Sequence, residues 1–324
     1  MGYIDMHCDT LMMAQFRKSN IYDSDKVAVD FKRMKEAGAL AQFFAIFMPD
    51  EPCYKEFNLK PMKDKEYFDA LFELFLANLK EHSDIIKRAY TAQDVVANEK
   101  AGVMSAILSV EDGRMINGDF EKLEDFYDLG VRALTLTWNY ENCFGFPNST
   151  DEKVMSKGLK PFGKEAIEFM NDLGILVDVS HLSDGGFWDV AKIADKPFIA
   201  THSNCRALSP HPRNLTDEMI KALAEKGGVM GLNFCPHFLN KDIKRKESTI
   251  DSMVAHLKHA KNIGGIDVLA LGSDLDGTDG DMEIAHCGEY PKLFDRLQKE
   301  GFTAEELDKI THKNVLRVMK ETLW

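Results

Sequence analysis

Six side chains suited to metal binding or proton transfer stand where predicted β-strands end. Each closes a short apolar run and opens a loop, and the six are His7, Asp9, Glu111, His181, His202 and Asp274. Side chains drawn from the ends of several parallel strands meet at one mouth of a (β/α)8 barrel, where such barrels build their active sites. Imidazole and carboxylate ligands, with no cysteine among them, suit a hydrolytic zinc centre with an open coordination position.

The first pair, His7 and Asp9, lies at positions i and i+2 of a predicted strand. Both side chains therefore point to the same face and can share one metal, although a polar pair at a strand end is an alternative. Glu111 directly follows the apolar run 106–110. A carboxylate there must be exposed, paired or ligating, because burying a bare charge is costly. Its two oxygens can bridge two metals; a carboxylate near a helix N-terminus is the competing interpretation.

The two later histidines, His181 and His202, close the predicted strands 175–180 and 197–201. They lie 21 residues apart, about one strand–helix unit, so they should occupy equivalent positions on adjacent strands. A lone histidine at a strand end is more often structural than a ligand. Two in successive equivalent positions, together with the first three candidates, indicate a metal site.

Five candidate ligands exceed the needs of one tetrahedral zinc. Two zinc ions about 3.5–4 Å apart would use all of them. One ion would take His7, Asp9 and Glu111, and the other would take Glu111, His181 and His202. Glu111 and a hydroxide would bridge the ions, and the hydroxide would be the nucleophile, because metal binding lowers the pKa of water toward neutrality. Manganese, cobalt and iron accept the same ligands, so the residues leave the physiological metal open.

Asp274 and Arg213 are the candidates for the remaining chemistry. Asp274 closes the eighth predicted strand, where a carboxylate can take a proton from metal-bound water and return it to a leaving amine. Asp276 competes for this role but already lies in a turn, which favours a task in loop structure. Arg213 follows His202 in a polar loop and suits bidentate binding of a substrate carboxylate, with a solvated surface arginine as the alternative. Arg206 is a weaker rival because it is too close to His202 in sequence.

These residues need elements that bring strand ends together, and the sequence predicts such elements. Short apolar runs alternate with helical stretches, as expected for parallel strands buried on both faces. Strands are predicted at 2–7, 39–48, 103–110, 131–137, 175–180, 197–201, 228–234 and 267–273, and helices near 27–36, 64–89, 119–129, 160–173, 184–194, 216–226, 249–263 and 303–321. Thr303 and Glu306 form a capping-box pattern. The alternation favours an α/β fold, a (β/α)8 TIM barrel, in one domain spanning 1–324.

Composition narrows the classes of function. The chain has 324 residues, of which 44% are hydrophobic, and a net charge of −13. Nucleic acid is excluded as a partner, because phosphate binding needs a basic stripe. The six cysteines are scattered without a C-x-x-C pair. Neither a signal peptide nor an apolar run of roughly 20 residues is evident, so we expect reduced thiols, no membrane association and a cytoplasmic location.

Seven short stretches, in this order, resemble the membrane (renal) dipeptidase family, a group of binuclear zinc peptidases with amidohydrolase-like barrels. They run nearly end to end: IDMHCD (4–9), SVEDG (109–113), LTLT (134–137), DVSH (178–181), THS (201–203), RN (213–214) and LGSDLDG (271–277). The resemblance implies a barrel of the metallo-dependent hydrolase type and a zinc-dependent dipeptidase. It assigns the same five zinc ligands with Glu111 bridging, Arg213 as the binder of the substrate carboxylate, and Asp274 as catalytic acid and base.

The resemblance also bears on substrates and assembly. The family tolerates a D-residue on the C-terminal side of the dipeptide, which extends the expected substrates to L,D-dipeptides. Related proteins are commonly dimers, which makes a homodimer an option. A missing signal peptide and lipid-anchor tail indicate a soluble member.

One departure concerns the loop after the fourth predicted strand. Mammalian members carry a histidine there that is taken to help polarise the scissile carbonyl, whereas this chain reads Trp138-Asn139-Tyr140-Glu141-Asn142. Asn139, Tyr140 and Asn142 are the candidate hydrogen-bond donors in its place. Loss of one preorganised donor typically costs about 10²–10³ in rate.

Two other functions are weighed against the dipeptidase. A different barrel amidohydrolase, acting on N-acyl amino acids or lactones, is disfavoured because such enzymes usually begin with an H-x-H motif. They also often carry a carboxylated lysine that bridges the metals. A metal-binding barrel with impaired catalysis is supported only by the missing histidine at 138–142. We therefore expect hydrolysis of small dipeptides, with side-chain preference set by loops 49–62, 138–158 and 235–248.

Overall fold

Eight parallel strands close into a barrel in this computed structural model, which describes residues 2–242 and 244–324. The strands of the described residues are β1 (Tyr3–Asp5), β2 (Ala39–Phe47), β3 (Ile86–Arg88), β4 (Met104–Glu111), β5 (Val131–Thr135), β6 (Leu176–Asp178), β7 (Ile199–Ala200), β8 (Val229–Leu232), β9 (Glu247–Ser248), β10 (Leu269–Leu271) and β11 (Asp281–Met282). The ring runs β2-β1-β10-β8-β7-β6-β5-β4, and β4 pairs back with β2. The predicted (β/α)8 barrel is confirmed, since each of the eight predicted strands overlaps one strand of this ring.

The longest pairing in the ring joins β2 and β4. Its register runs from Ala41 opposite Ser105 to Phe47 opposite Glu111. All residues of β4 are buried, because the barrel interior covers one face and helices cover the other. The remaining strands lie outside the ring: β3 pairs with the start of β4, and β9 pairs with β11 in a separate two-stranded sheet.

Helices cover the barrel and follow most strands. They are α1 (Thr10–Arg17), α2 (Phe31–Glu36), α3 (Glu51–Glu56), α4 (Asp64–Glu81), α5 (Ala92–Lys100), α6 (Phe120–Asp128), α7 (Glu152–Met155), α8 (Pro161–Leu173), α9 (Asp184–Ile193), α10 (Asp217–Glu225), α11 (Pro236–Leu239), α12 (Ile250–Gly264), α13 (Tyr290–Lys299), α14 (Ala304–Asp308) and α15 (Asn314–Thr322). Short 3₁₀ turns stand at Gly113–Ile116, Ile266–Val268 and Cys287–Glu289, and a π-helical turn stands at Lys309–Lys313.

The predicted helices differ from these bounds in three ways. The stretch 64–89 is too long, since α4 ends at Glu81 and β3 follows. The closing helix starts at the predicted capping box, but the π turn divides it into α14 and α15. Helices α1, α5 and α13 and the short helices α3, α7 and α11 were not predicted. For α5 a signal was present, because Thr91 and Asp94 form a capping box of their own.

The end of the barrel opposite the predicted site is closed by α15. Its residues Val315, Val318 and Met319 join one buried cluster with Ile4 and Ile107 from β1 and β4. Apolar packing therefore fills the interior from the amino-terminal end of the strands. The carboxyl ends remain for polar side chains, as is typical of this fold.

Candidate metal centre

The ends of β1 and β4 bring one imidazole and two carboxylates together. His7 and Asp9 follow β1, and Glu111 is the last residue of β4. His7 Nε2 lies 3.4 Å from Glu111 Oε2 and 3.6 Å from Asp9 Oδ2. All three side chains are buried, so these predicted ligands share one interior space.

Two further imidazoles approach Glu111 through its other oxygen. His181 and His202 follow β6 and β7, and Glu111 Oε1 lies 3.0 Å from His181 Nε2 and 3.3 Å from His202 Nε2. The two Nε2 atoms are 3.1 Å apart. The backbone of His181 is left-handed, with φ of 67°, a conformation that costs a residue with a side chain about 1–3 kcal/mol. Glu111 thus presents Oε2 to His7 and Oε1 to the other two histidines.

The histidines on the two sides of Glu111 have opposite pKa shifts. Burial lowers the pKa of His7, but the charges of Glu111 and Asp9 outweigh burial and raise that pKa well above its ordinary value. Burial lowers the pKa of His181 and His202, and the positive charges of a nearby arginine and of His7 lower both further. Burial raises the pKa of the Glu111 carboxyl. Imidazole lone pairs and a desolvated carboxylate therefore lie close together, and a cation between them would stabilise this arrangement.

The cluster passes a chemical test for a metal site. Within the described residues, His7 Nε2 and Asp9 Oδ1 are buried and lack a hydrogen-bond partner, although buried polar groups normally have one. Three sets of ligand atoms each lie within 4.8 Å of one another: His7, Asp9 and Glu111; Glu111, His181 and His202; and His7, His202 and Asp274. Sets of nitrogen and oxygen donors suit zinc and related divalent ions.

Asp274 lies at the edge of this cluster. It follows β10 with a left-handed backbone, φ 64°, and is 9% exposed. Asn233 Nδ2 donates to its Oδ2 at 2.9 Å, and its Oδ1 lies 3.8 Å from His7 Nε2. Burial raises the pKa of the Asp274 carboxyl. A Cβ at Gly277 would collide with the carboxylates of Asp274 and Asp9, so the turn needs glycine there.

Asp276, the competing carboxylate, faces the loops instead. It accepts hydrogen bonds from Thr10 Oγ1 at 2.5 Å and from the backbone N–H of Ala28 at 2.8 Å and of Val29 at 3.3 Å. These contacts connect the turn after β10 to α1 and to the segment before α2. Asp276 therefore stabilises the loops, and the predicted use of Asp274 rather than Asp276 for chemistry stays a prediction.

The two arginines of the loop after β7 differ in the same way. Arg213 is buried, donates to the carbonyl of His202 at 2.8 Å and to Ser203 Oγ at 3.2 Å, and lies over the ring of Phe238 at 5.4 Å. Its Nε lacks a hydrogen-bond partner within the part of the chain described. Arg206 instead forms a bidentate pair with Asp184 at 2.7 and 2.8 Å. Of the two, Arg213 is therefore the arginine whose buried Nε has no partner among the described residues and could donate to an anion.

A cavity of about 590 Å³ opens above the cluster. Ligand candidates, Asp274 and Arg213 line it together with apolar side chains and polar loop residues; these include Met12, Met13, Phe47, Trp138, Asn139, Asn148, His211 and Phe238. Such a volume suits a small-molecule ligand. The profile of the membrane dipeptidase family, peptidase family M19, matches residues 1–323.

The chain belongs to the membrane dipeptidase family. It is a metal-dependent dipeptidase, a hydrolase, as the family and the site both indicate. A crystal structure of a dipeptidase of family M19 superposes with a TM-score of 0.89 and 29% identity, covering 99% of this chain and 98% of that one. A metallopeptidase from Rhodobacter sphaeroides, bound to a phosphinate mimic of L-Ala-D-Ala, gives 0.89 and 28%, covering 100% and 99%.

Sequence relatives of this membrane dipeptidase family member come from bacteria and fungi. An uncharacterized protein in the pqqA 5′ region of Klebsiella pneumoniae is 36% identical over 242 residues, covering 72% of this chain and 88% of that protein. Dipeptidase tcpJ of Claviceps purpurea is 29% identical, covering 90% of this chain and 69% of its own length. No helix among residues 2–242 and 244–324 of this family member is long and apolar enough to cross a membrane.

The loop after β5 of this family member contains the three hydrogen-bond donors predicted from the sequence. Asn139 lines the cavity. Tyr140 is 54% exposed, and its hydroxyl donates to Asp50 Oδ2 at 2.9 Å. Asn142 donates to Asp112 Oδ1 at 2.9 Å and to the carbonyl of Leu136 at 2.7 Å, which stabilises the loop. Of the three, Asn139 has a side chain at the cavity wall.

Sequence reasoning missed two supporting residues of this family member's site. Asn233 directly follows β8, but the predicted strand 228–234 extended past it, so the strand-end rule did not single it out. His211 Nδ1 accepts the backbone N–H of Arg213 at 3.1 Å and thereby orders the loop that carries the arginine. Only its position two residues before Arg213 hinted at this contact.

Proposed function

We propose that this membrane dipeptidase family member is a binuclear zinc enzyme in which Glu111 bridges the two ions. His7 and Asp9 would complete one ligand set, and His181 and His202 the other. The supporting observation is the division of the Glu111 oxygens, with Oε2 3.4 Å from His7 Nε2 and Oε1 3.0 Å from His181 Nε2. Two bound zinc ions would supply the Lewis acidity that activates water and polarises the scissile carbonyl.

Arg213 would bind the carboxylate of a small dipeptide. Its buried guanidinium retains an unpartnered Nε within the described residues, and a donated bond to the carbonyl of His202, 2.8 Å long, holds it beside the ligand cluster. Charge-assisted hydrogen bonds of arginine suit a carboxylate. The Rhodobacter relative with its L-Ala-D-Ala mimic supports L,D-dipeptides among the substrates.

Asp274 would take the proton from the attacking water and return it to the leaving amine. Asn233 occupies its Oδ2, which leaves Oδ1 directed toward the cluster. A general acid and base works best when its pKa lies near the working pH, and burial raises the pKa of this carboxyl in that direction. Asn139, at the cavity wall, would donate a hydrogen bond to the substrate carbonyl.

Metal analysis combined with a substrate panel tests the proposal. We expect two zinc ions per chain and hydrolysis of L-Ala-L-Ala and L-Ala-D-Ala, with N-acetylalanine as the comparison substrate. Glu111→Gln should lose bound zinc and lower kcat/KM by roughly 10⁴-fold or more, since both ligand sets use this residue. Glu51→Gln, which changes an exposed carboxylate on α3, is the matched control and should keep both properties.

Three outcomes would contradict this proposal. Full activity with one zinc per chain would remove the binuclear site. Two tightly bound ions in Glu111→Gln would remove the bridge. Turnover of N-acetylalanine without turnover of either dipeptide would favour an N-acyl amino acid hydrolase.

A further inference from the structure

A buried aspartate at the end of β6 is bound to the strands on both sides. Asp178 is fully buried, and its partners are hydroxyl and backbone N–H groups rather than a lysine or arginine side chain. It accepts hydrogen bonds from Thr135 Oγ1 at 2.6 Å, from Thr201 Oγ1 at 2.5 Å and from the N–H groups of Thr201 at 2.9 Å and Ser180 at 3.0 Å. Four donated bonds offset the cost of burying the charge. The carboxylate thereby connects β5, β6 and β7 beneath the candidate ligands.

The hydroxyl of Thr201 connects this carboxylate to His202. Thr201 Oγ1 lies 2.5 Å from Asp178 Oδ2 and 2.8 Å from His202 Nδ1. A hydroxyl has one hydrogen, and both oxygens of the Asp178 carboxyl act as hydrogen-bond acceptors for other groups, so the hydroxyl donates to Asp178. Its oxygen then accepts from His202, which places the imidazole hydrogen on Nδ1. His202 Nε2 consequently carries the lone pair, and it is the atom 3.3 Å from Glu111 Oε1.

The backbone around Thr201 is shaped for this arrangement. A Cβ at Gly272 would collide with the carbonyl of Thr201, so β10 leaves room for the end of β7 to approach the barrel axis. Ser180 Oγ accepts the N–H of His202 at 3.2 Å and lies 3.3 Å from Thr201 Oγ1. By contrast, His181 Nδ1 is buried and lacks a partner among residues 2–242 and 244–324, so the chain of hydrogen bonds serves His202 alone of these two histidines.

We propose that Asp178, acting through Thr201, is a positioning residue that selects the Nδ1–H tautomer of His202 and orients its Nε2 for a metal ion. Hydrogen bonds to the outer nitrogen of a ligating histidine fix its tautomer and increase its basicity. Asp178 contacts none of the candidate ligand atoms; its link to the His202 ring passes through the Thr201 hydroxyl. This inference rests on the proposed role of His202 as a metal ligand.

Five variants of the full chain test the relay, with zinc alone as the probe. Zinc affinity is measured by competition with a chromophoric chelator after the purified protein has been stripped of metal. Thr201→Val removes the hydroxyl and should weaken binding of one zinc by roughly 10–100-fold. Thr201→Ser restores the hydroxyl and should stay within about 3-fold of the parent. Thr135→Val removes a hydrogen bond to the same carboxylate oxygen but not the link to His202, and should also stay within about 3-fold.

Asp178→Asn is the fourth variant and covers the case in which Thr201→Val fails to fold. An asparagine amide can donate to Thr201, whose hydroxyl would then donate to His202 Nδ1 and favour the opposite tautomer. Zinc affinity should fall by roughly the same 10–100-fold, while Asp178→Glu, which keeps an acceptor, should recover part of the loss. ¹⁵N NMR of histidine-labelled protein should show the Nδ1–H form of His202 in the parent and its loss in Asp178→Asn.

His202→Ala separates failure of this inference from failure of the proposed function. If His202→Ala leaves zinc affinity unchanged, His202 is not a ligand and the proposed metal centre fails. If His202→Ala weakens zinc but Thr201→Val and Asp178→Asn both bind like the parent, the relay is overturned. An equal loss in Thr135→Val and Thr201→Val also overturns it, because the carboxylate would then act only through general packing of β5 to β7.

Discussion

The two sides of the barrel mouth are built from different chemistry. The acidic half, which follows β1 and β10, contains His7, Asp9 and Asp274. The imidazole half, which follows β6 and β7, contains His181, His202 and Arg213. Carboxylates raise the pKa of the histidine in the acidic half, whereas burial and positive neighbours lower both histidine pKa values in the other half. Glu111 on β4 presents one oxygen to each half.

This difference explains how one pocket can hold cations, an anionic substrate group and a proton carrier. Negative charge in the acidic half favours a cation and a titrating carboxyl. The imidazoles of the other half would offer lone pairs to a cation, and Arg213 beside them is proposed to hold the substrate carboxylate. Each half also has a fully buried aspartate behind it: Asp178 in the imidazole half, and Asp5 in the acidic half, which accepts from Ser273 Oγ at 2.7 Å and Tyr290 Oη at 2.6 Å.

Among residues that belong to one half alone, those of the acidic half should have the largest effect on rate. We expect Asp274→Asn to lower kcat by about 10²–10⁴-fold and to retain zinc, because the amide cannot carry the proton. Asp276→Asn is the matched control; it should lower thermal stability through lost bonds to Thr10 and Ala28 but keep most of kcat. Steady-state kinetics, zinc content and Tm of both variants make the comparison. A retained rate in Asp274→Asn would move the proton carrier elsewhere.

The next effect should come from the imidazole half and act on substrate binding. Arg213→Ala should raise KM for free-acid dipeptides by roughly 10²-fold, the equivalent of one or two hydrogen bonds between charged groups. C-terminally amidated dipeptides should be hydrolysed equally poorly before and after. Arg206→Ala, which breaks the pair with Asp184, should reduce stability and leave the preference for free acids intact. An unchanged preference in Arg213→Ala would remove this residue from the substrate site.

Acid should lower the free energy of unfolding through His256, which lies behind the imidazole half. Its Nδ1 accepts the N–H of Cys205 at 3.0 Å, its Nε2–H donates to the carbonyl of Leu239 at 3.0 Å, and burial lowers its pKa to about 4. In the unfolded chain, His256 therefore binds a proton near pH 6.5, whereas in the folded chain it binds one only near pH 4. The lowered pKa of His256 costs little stability above pH 6.5. The loss of unfolding free energy grows as pH falls toward about 4 and reaches about 2 kcal/mol at pH 5.

Urea unfolding of metal-free protein at pH 7 and pH 5 measures this cost. His256→Gln should lose less stability between the two pH values than the parent does, by about 2 kcal/mol. The comparison between variants cancels the titration of the other histidines. Parallel losses in parent and variant would show that His256 does not link acid to unfolding.

The smallest effect should come from the loop between the halves. Asn139→Ala should lower kcat by about 10-fold, less than the usual loss for an oxyanion donor, because metal ions would share the polarisation of the carbonyl. Tyr140→Phe is the control, since its hydroxyl binds Asp50, and it should change kcat by less than about 3-fold. Equal losses in the two variants would indicate that the loop acts by shape rather than through the Asn139 amide.

The sequence predicted the barrel, and the structure brings the predicted ligand candidates close together, for reasons visible in particular residues. His181 and His202 close two successive apolar runs, and in a parallel sheet equivalent strand ends must be neighbours. Glu111 could be singled out because no partner in its own segment explained a carboxylate after five apolar or small residues. Helix α1 escaped prediction because its apolar start at Leu11 follows the strand end without a turn signal.

Side-chain roles that depend on partners far along the chain escaped sequence reasoning. Asp178 is inside a matching motif, yet its bonds to Thr135 and Thr201 span 43 and 23 residues. Asn233 meets Asp274 across 41 residues. None of these three sequence separations follows a periodicity that a sequence pattern can reveal.

The amino-acid sequence by itself determined the alternation of strands and helices, the barrel, and the ligand types at the strand ends. These depend on local hydrophobic period and on which residue follows each buried run. Only the tertiary structure decided which oxygen of Glu111 faces which histidine, that Asp274 rather than Asp276 lies beside His7, and that Thr201 Oγ1 lies 2.8 Å from His202 Nδ1. Those choices depend on angles and distances of a few ångströms between separate strands, and closure of the barrel sets them.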